Sequence, residues 1–157
     1  MGKRPKHKGR PSTHKRPLAV EASDPSKEPR ALFGADPMRL SPAWRVSLME
    51  MVTPYGWRDI ESDKLREVRE KLKDFESMTW HEILTASRHR NHPVSIDQLC
   101  KEARDRLEEI GQADIEELVS LRLSGPERVW GIRAENVLKI LWWDPSHAVC
   151  PSLKKHT

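Results

Sequence analysis

Basic side chains and histidines near the C-terminus are the residues of this sequence best suited to chemistry on a phosphate group. Cleavage of RNA by attack of a 2′-hydroxyl needs a base, a cation that holds the phosphate and an acid for the leaving oxygen. His156 is the candidate base, because the neighbouring lysines should lower its pKa. Arg128 or Arg133 could hold the phosphate, and Lys154 or His147 could donate the proton.

A wider set of residues could contact RNA without taking part in cleavage. Single-stranded nucleic acid is usually held by cations and by aromatic rings on which bases stack. An open sheet face with exposed guanidinium groups and Trp rings would supply both. The candidates for such contacts are Arg122, Lys139, Lys155, His147 and Trp130. The alternative is that these cations only cover strand edges with their aliphatic stems.

Metal binding is a competing use of the same C-terminal region. His147, Cys150 and His156 are possible ligand types, but their spacing matches no paired zinc motif. No phosphate-binding loop, dinucleotide fingerprint, nucleophile elbow or HExxH sequence occurs. We therefore expect neither a metal nor another cofactor.

Charge and proline divide the chain into two parts. Residues 1–42 hold 10 of the 28 Lys and Arg residues, 4 of the 24 Asp and Glu residues and seven of the twelve prolines. We expect this segment to be a disordered basic tail, and residues 43–157 to form a single domain. The tail could tether the protein to nucleic acid through phosphate contacts. Its candidate residues are Lys3, Arg4, Lys6, Lys8, Arg10, Lys15 and Arg16.

Helical signals occupy the middle of the chain. Apolar residues spaced by three and four predict a helix over 62–75. Two patterns of the capping-box type, Thr79 with Glu82 and Ser95 with Gln98, predict two more helix starts. The second of these helices should end at Gly111, and residues 87–93 should form a loop between the two.

Strand signals flank the helices. Alternating apolar residues predict a first strand over 44–52 and, after Gly111, strands over 118–123, 127–133 and 137–143, with a short fourth one over 147–150. The expected fold is α+β, with helices packed on an antiparallel β-meander. No secretory leader or membrane-length apolar run is found, so we expect a cytoplasmic protein without a membrane partner.

The predicted meander resembles that of the RelE/ParE toxin superfamily. The similarity lies in the segment 118–143, where Arg128–Gly131 reads Arg-Val-Trp-Gly, and in the basic terminus Lys154–His156. Members of that family run strand, helices and then three antiparallel strands. The resemblance implies a small toxin, a metal-independent endoribonuclease that acts on ribosome-bound mRNA and is neutralised by an antitoxin protein.

A non-enzymatic interaction protein is the alternative function. In that case Trp57, Trp142 and Trp143 would form an exposed aromatic patch that binds a protein, for example a replication protein. Cleavage requires His156 and the arginines, whereas binding requires the aromatic patch. A domain with neither activity is the third possibility.

Overall fold

The computed structural model describes residues 34–52, 54–85 and 91–152. From residue 35 onward these residues belong to one compact unit of mixed α+β structure, which confirms the predicted fold class. Its elements are β1 (Ala43–Arg45), α1 (Ser62–Glu76), α2 (Trp80–Thr85), β2 (His92–Ser95), α3 (Lys101–Glu109), β3 (Glu117–Arg122), β4 (Arg128–Ala134) and β5 (Val137–Asp144), with 3-10 turns at Pro37–Arg39 and Ile96–Gln98. Within the described ranges, no helix combines the length and apolar content that crossing a membrane requires.

Five strands form one sheet in the order β1-β5-β4-β3-β2. The strands from β2 to β5 pair antiparallel, so the β-meander predicted from the alternating sequence is confirmed. The first strand is shorter than predicted, because regular pairing ends at Arg45, and it runs parallel to β5. After Arg45 the chain turns, with the Met49 amide bonded to the Val46 carbonyl.

The predicted helix over 62–75 is confirmed as α1, and the first capping box is formed as expected. The Thr79 amide donates to the Glu82 carboxylate over 2.7 Å, and the Glu82 amide donates to the Thr79 hydroxyl over 3.2 Å. A residue on the N-terminal side of the predicted boundary at residue 42 also contacts α2. Leu40 already accepts a backbone hydrogen bond from Trp80, at 3.0 Å.

The second predicted capping box is wrong. Ser95 is the last residue of β2 and makes no side-chain cap, and α3 begins only at Lys101. The predicted loop over 87–93 is wrong at His92 and Pro93, which lie in β2, while residues 86–90 are outside the described part. Proline is tolerated in β2 because this is an edge strand. The helix end at Gly111 is confirmed, with φ at 72° and its amide bonded to the Glu108 carbonyl.

A β-bulge in β5 changes which side chains share a face. Gly131 pairs with Ile140 and Trp130 with Trp142, so Leu141 is the extra residue. In a strand without a bulge, side chains alternate and Ile140 and Trp142 would share a face. Instead Leu141 and Trp142 belong to one hydrophobic cluster, and Ile140 belongs to the other.

The two hydrophobic clusters draw on different helices. The first joins Trp130, Trp142 and Leu118 of the strands with Ala103 and Leu107 of α3. The second contains other residues of the same strands, together with Val68 and Phe75 of α1 and with Trp80 and Ile83 of α2. The central strands therefore carry buried side chains in both clusters, and the predicted open sheet face with exposed Trp rings is not found in the described part.

Candidate functional site

The ends of three neighbouring strands bring charged residues together. Arg122 of β3 is paired with Arg128 of β4, and Arg128 is paired with Asp144 of β5. Residues in direct register on adjacent strands project to the same face of a sheet. The three strand ends therefore place two guanidinium groups and one carboxylate on one side.

Asp144 is the structural centre of this group. It is fully buried, at 0% exposure. Its carboxylate accepts hydrogen bonds from the Trp130 indole at 3.2 Å, from the Ala148 amide at 2.8 Å and from the Val149 amide at 3.0 Å. These bonds fold the chain back immediately after β5, where Pro145 and Ser146 provide turn chemistry. The predicted short strand over 147–150 is wrong, because two of its amides bind this carboxylate.

The fold-back after Asp144 brings His147 within electrostatic range of Arg128 and Arg122. Its φ of 59° lies in the left-handed region, which histidine adopts more readily than most residues. Burial lowers the pKa of His147, and the nearby positive charge of Arg128 lowers it further, while Asp144 opposes the change. His147 is therefore held in its neutral form near pH 7, as a general base must be.

Arg128 is partly fixed by the turn that precedes it. Its Nη1 donates to the carbonyls of Gly125 and Glu127, at 3.0 and 2.9 Å. Burial, followed by repulsion from Arg122, lowers the pKa of the Arg128 guanidinium, and Asp144 opposes this. Two cations held near one carboxylate leave an excess of positive charge, which favours a phosphate as an additional partner.

A cleft of about 310 Å³ borders Arg122. Its wall comes from the turn between β3 and β4, including Ser124 and Gly125, and from Lys71 and Phe75 of α1. The Lys71 ammonium lies over the Phe75 ring at 5.3 Å from its centre. The cleft therefore borders residues of the second hydrophobic cluster, whereas Trp130, which contacts Asp144, belongs to the first.

The sequence-predicted site residues are only partly brought together. Arg122, Arg128 and His147 form one group, hereafter the arginine–histidine cluster. Arg133 lies at the other end of β4, over the Trp80 ring at 5.7 Å. Lys139 is in register with Arg45 of β1, also away from the cluster. The remaining candidates lie outside the described residues: Lys154, Lys155, His156, Lys3, Arg4, Lys6, Lys8, Arg10, Lys15 and Arg16.

The predicted roles of the tryptophans are wrong. Trp130 is 1% exposed and donates to Asp144, so its ring cannot stack on a base in this conformation. Trp57, Trp142 and Trp143 are also buried, which removes the predicted aromatic patch. Both faces of the central strands are apolar, so the sequence does not indicate which Trp rings become buried by the helices and loops. The prediction of exposed rings was wrong for this reason.

Two participants were not predicted as part of the cluster. No role was predicted for the carboxylate of Asp144. His92 had no predicted place in this cluster, yet its charge contributes to the lowered pKa of His147. Within residues 34–52, 54–85 and 91–152, no three His, Cys, Asp or Glu side chains are arranged to hold a metal ion. The proposed ligand His156 lies beyond these ranges.

Replacing His147 by Asn should reduce the loss of stability at low pH. The folded state lowers the pKa of His147 below its ordinary value of 6.5, so the unfolded chain binds the proton more readily. Stability is therefore retained above about pH 6.5 and falls as the pH drops through that value, until the lowered pKa is also passed. Asparagine is uncharged and tolerates the left-handed conformation.

The measurement is the urea midpoint of unfolding at pH 7.5 and at pH 5 for both proteins. A smaller decrease for His147→Asn than for the wild type is expected. An identical decrease in the two proteins would contradict a lowered pKa of His147 in the folded state.

Comparison with known proteins adds no relative to this picture. No protein-family model, curated protein or solved structure matches the chain.

Proposed function

We propose that this protein is a RelE-like toxin that binds and cleaves RNA at the translation machinery, and that the phosphate is held at the arginine–histidine cluster. The observation that carries the proposal is the placement of Arg122, Arg128 and His147 around the buried Asp144 carboxylate. Cationic groups that hold a phosphate next to a neutral histidine are the minimum required for cleavage by the RNA's own 2′-hydroxyl.

The chemistry follows from the charges of the cluster. His147 accepts the proton of the 2′-hydroxyl, and the resulting oxygen attacks the adjacent phosphorus. The bond from phosphorus to the 5′ oxygen breaks, leaving a 2′,3′-cyclic phosphate and a 5′-hydroxyl that takes up a proton. Arg122 and Arg128 stabilise the negative charge that develops on the phosphorus oxygens. In this proposal His147 takes the role of base that the sequence suggested for His156, and Lys154 remains a candidate for the acid.

Other features of the chain are consistent with action on ribosome-bound RNA. The run of cations between Lys3 and Arg16 can contact phosphates without reading sequence. The element order begins with a strand and helices and ends with three antiparallel strands, as the RelE/ParE resemblance implies, but it has an additional strand, β2, between α2 and α3. The proposal also includes a partner antitoxin protein, because the RelE/ParE resemblance implies one.

Induced expression in a bacterial host tests the proposed toxicity. We expect the wild type to arrest growth, and we expect Arg122→Ala/Arg128→Ala and His147→Asn to relieve the arrest. The matched control is Arg66→Ala/Arg69→Ala, which removes two exposed cations from α1 and should leave the arrest unchanged.

The outcomes separate the parts of the proposal. No arrest by the wild type would contradict a toxin. Arrest by the wild type and by all variants would contradict the assignment to the arginine–histidine cluster. His156→Ala, included in parallel, tests whether the terminal histidine predicted from sequence is also required.

Protein binding is the second candidate function, and a different surface favours it. Val46, Met51 and Val52 are 64%, 53% and 52% exposed in the segment after β1. Several exposed apolar side chains within one short segment can contribute to an interaction surface. Relief of arrest by Val46→Ser/Met51→Ser, with the cluster variants still toxic, would favour this function over RNA cleavage.

A further inference from the structure

The two cysteines of the chain lie beside each other, although 50 positions separate them in sequence. Cys100 immediately precedes α3, and its amide donates to the carbonyl of Val149 over 2.9 Å. Peptide geometry then places the Cα atoms of Cys100 and Cys150 about 5–7 Å apart. A disulfide spans Cα separations of about 4.4–6.8 Å, so the backbone is already at bridging distance.

The side chains of both cysteines turn towards the same hydrophobic cluster. Both are free thiols, half-buried, and both pack against the cluster that contains Tyr55 and Val149. The Cys100 sulfur lies 3.2 Å from the Tyr55 hydroxyl, and the Cys150 sulfur lies 3.4 Å from the carbonyl of Gln98, two residues before Cys100. The two thiols are also close enough for Cys100 to influence the ionisation of Cys150.

We propose that Cys100 and Cys150 are a redox-active thiol pair that forms an intramolecular disulfide, which fastens the segment after β5 to the start of α3. This inference does not depend on the proposed cleavage of RNA. It nevertheless concerns the same segment, because residues 145–149 carry His147.

The environments of the two thiols assign them different roles. Burial raises the pKa of the Cys150 thiol, and the proximity of Cys100 adds to this. Cys150 therefore keeps its proton up to a higher pH than an ordinary cysteine. Burial, and then the hydrogen bond to Cys100, raise the pKa of Tyr55. The Tyr55 hydroxyl therefore keeps its proton and can donate a hydrogen bond to the Cys100 sulfur, at 3.2 Å, and we assign the first attack to Cys100 on the basis of this contact.

The oxidant is a small-molecule disulfide such as glutathione disulfide. The Cys100 thiolate attacks one of its sulfurs, which forms a mixed disulfide and releases one glutathione thiolate that takes up a proton. Cys150 then loses its proton and attacks the Cys100 sulfur, releasing the second glutathione. Two protein thiols are oxidised by two electrons, and one disulfide is reduced to two thiols.

The disulfide between Cys100 and Cys150 should change the stability of the protein measurably. It links residues about 50 positions apart, and a loop of that length restricts the unfolded chain strongly. The expected shift of the thermal midpoint on oxidation is about 10 °C upwards, provided that the native geometry is kept.

The experiment uses the full chain equilibrated with a series of ratios of reduced to oxidised glutathione, trapped with an alkylating reagent and analysed by intact mass. At reducing ratios, we expect the intact mass of the wild type to be that of a chain with two alkylated thiols. At oxidising ratios, we expect the mass of an unalkylated monomer that is two hydrogens lighter than the reduced chain. Cys100→Ser and Cys150→Ser should instead accumulate one glutathione adduct each. The thermal midpoints of the reduced and oxidised wild type are then compared.

Each possible result bears on the inference. An internal disulfide together with a raised thermal midpoint supports it. Two glutathione adducts on one wild-type chain, disulfide-linked dimers or unchanged free thiols at every ratio would overturn it. An internal disulfide that lowers the thermal midpoint would also overturn it, because the native structure would then not accommodate the bond.

Discussion

Asp144→Ala is expected to lower the free energy of unfolding by about 4 kcal/mol. The substitution removes a buried acceptor and leaves three donors without it: the Trp130 indole and the amides of Ala148 and Val149. Each buried donor left unsatisfied costs about 1–3 kcal/mol. Urea unfolding followed by tryptophan fluorescence measures the change.

Asp114→Ala is the matched control for Asp144→Ala. Asp114 is an exposed carboxylate in the connection before β3, and its removal should change stability by less than about 0.5 kcal/mol. Asp144→Asn should be intermediate, since an amide retains one acceptor oxygen but points a donor towards the other amides. A loss below about 1 kcal/mol for Asp144→Ala would contradict the central role of this carboxylate.

Gly131→Ala is expected to destabilise the fold by about 3 kcal/mol. A Cβ at this position would lie 2.7 Å from the Lys139 carbonyl oxygen and 2.8 Å from Cγ of Leu138. The oxygen belongs to the paired backbone of β5, so relief requires a shift of the strand beside the bulge. The measurement is the midpoint and slope of urea unfolding, because an unchanged slope assigns the difference to stability.

Ser120→Ala on the adjacent strand β3 provides the comparison for Gly131→Ala. The Ser120 hydroxyl is buried, and no hydrogen-bond partner for it is found among the described residues. Its removal should leave stability within about 1 kcal/mol of the wild type, or slightly above it. Equal midpoints for Gly131→Ala and the wild type would show that β4 and β5 do not approach as closely as the structure indicates.

Local patterns in the sequence predicted the elements whose stability is local. The period of two along β3 to β5, the apolar stripe of α1 and the reciprocal capping of Thr79 and Glu82 depend on residues close in sequence. Contacts between distant residues decided the rest. The parallel pairing of β1 with β5 and the bulge at Leu141 have no signature in their own residues.

The same distinction applies to the candidate site. Residue type and charge placed Arg122, Arg128 and His147 among the candidates, but they did not distinguish them from Arg133 and Lys139, which lie elsewhere on the sheet. The importance of Asp144 could not be seen, since it depends on the chain returning so that residues 148 and 149 meet the carboxylate. Trp130 was misassigned for a related reason, because its burial depends on residues from α3.

The central claim is that the arginine–histidine cluster holds an RNA phosphate, and equilibrium binding of a fluorescent single-stranded RNA tests it most directly. Anisotropy titrations at several salt concentrations compare the wild type, Arg122→Ala/Arg128→Ala and the charge-matched Arg66→Ala/Arg69→Ala. The basic segment before residue 42 is present in all three proteins, so differences between them report the cluster alone.

We expect the cluster variant to bind RNA about 10-fold or more weakly than the wild type. The slope of its affinity against salt concentration, on logarithmic axes, should be smaller by an amount that corresponds to the loss of about one to two phosphate contacts. The α1 variant should remain close to the wild type in both affinity and salt dependence. Equal affinities and salt dependences for the two double variants would contradict a phosphate site at Arg122 and Arg128, and with it the proposed function of the cluster.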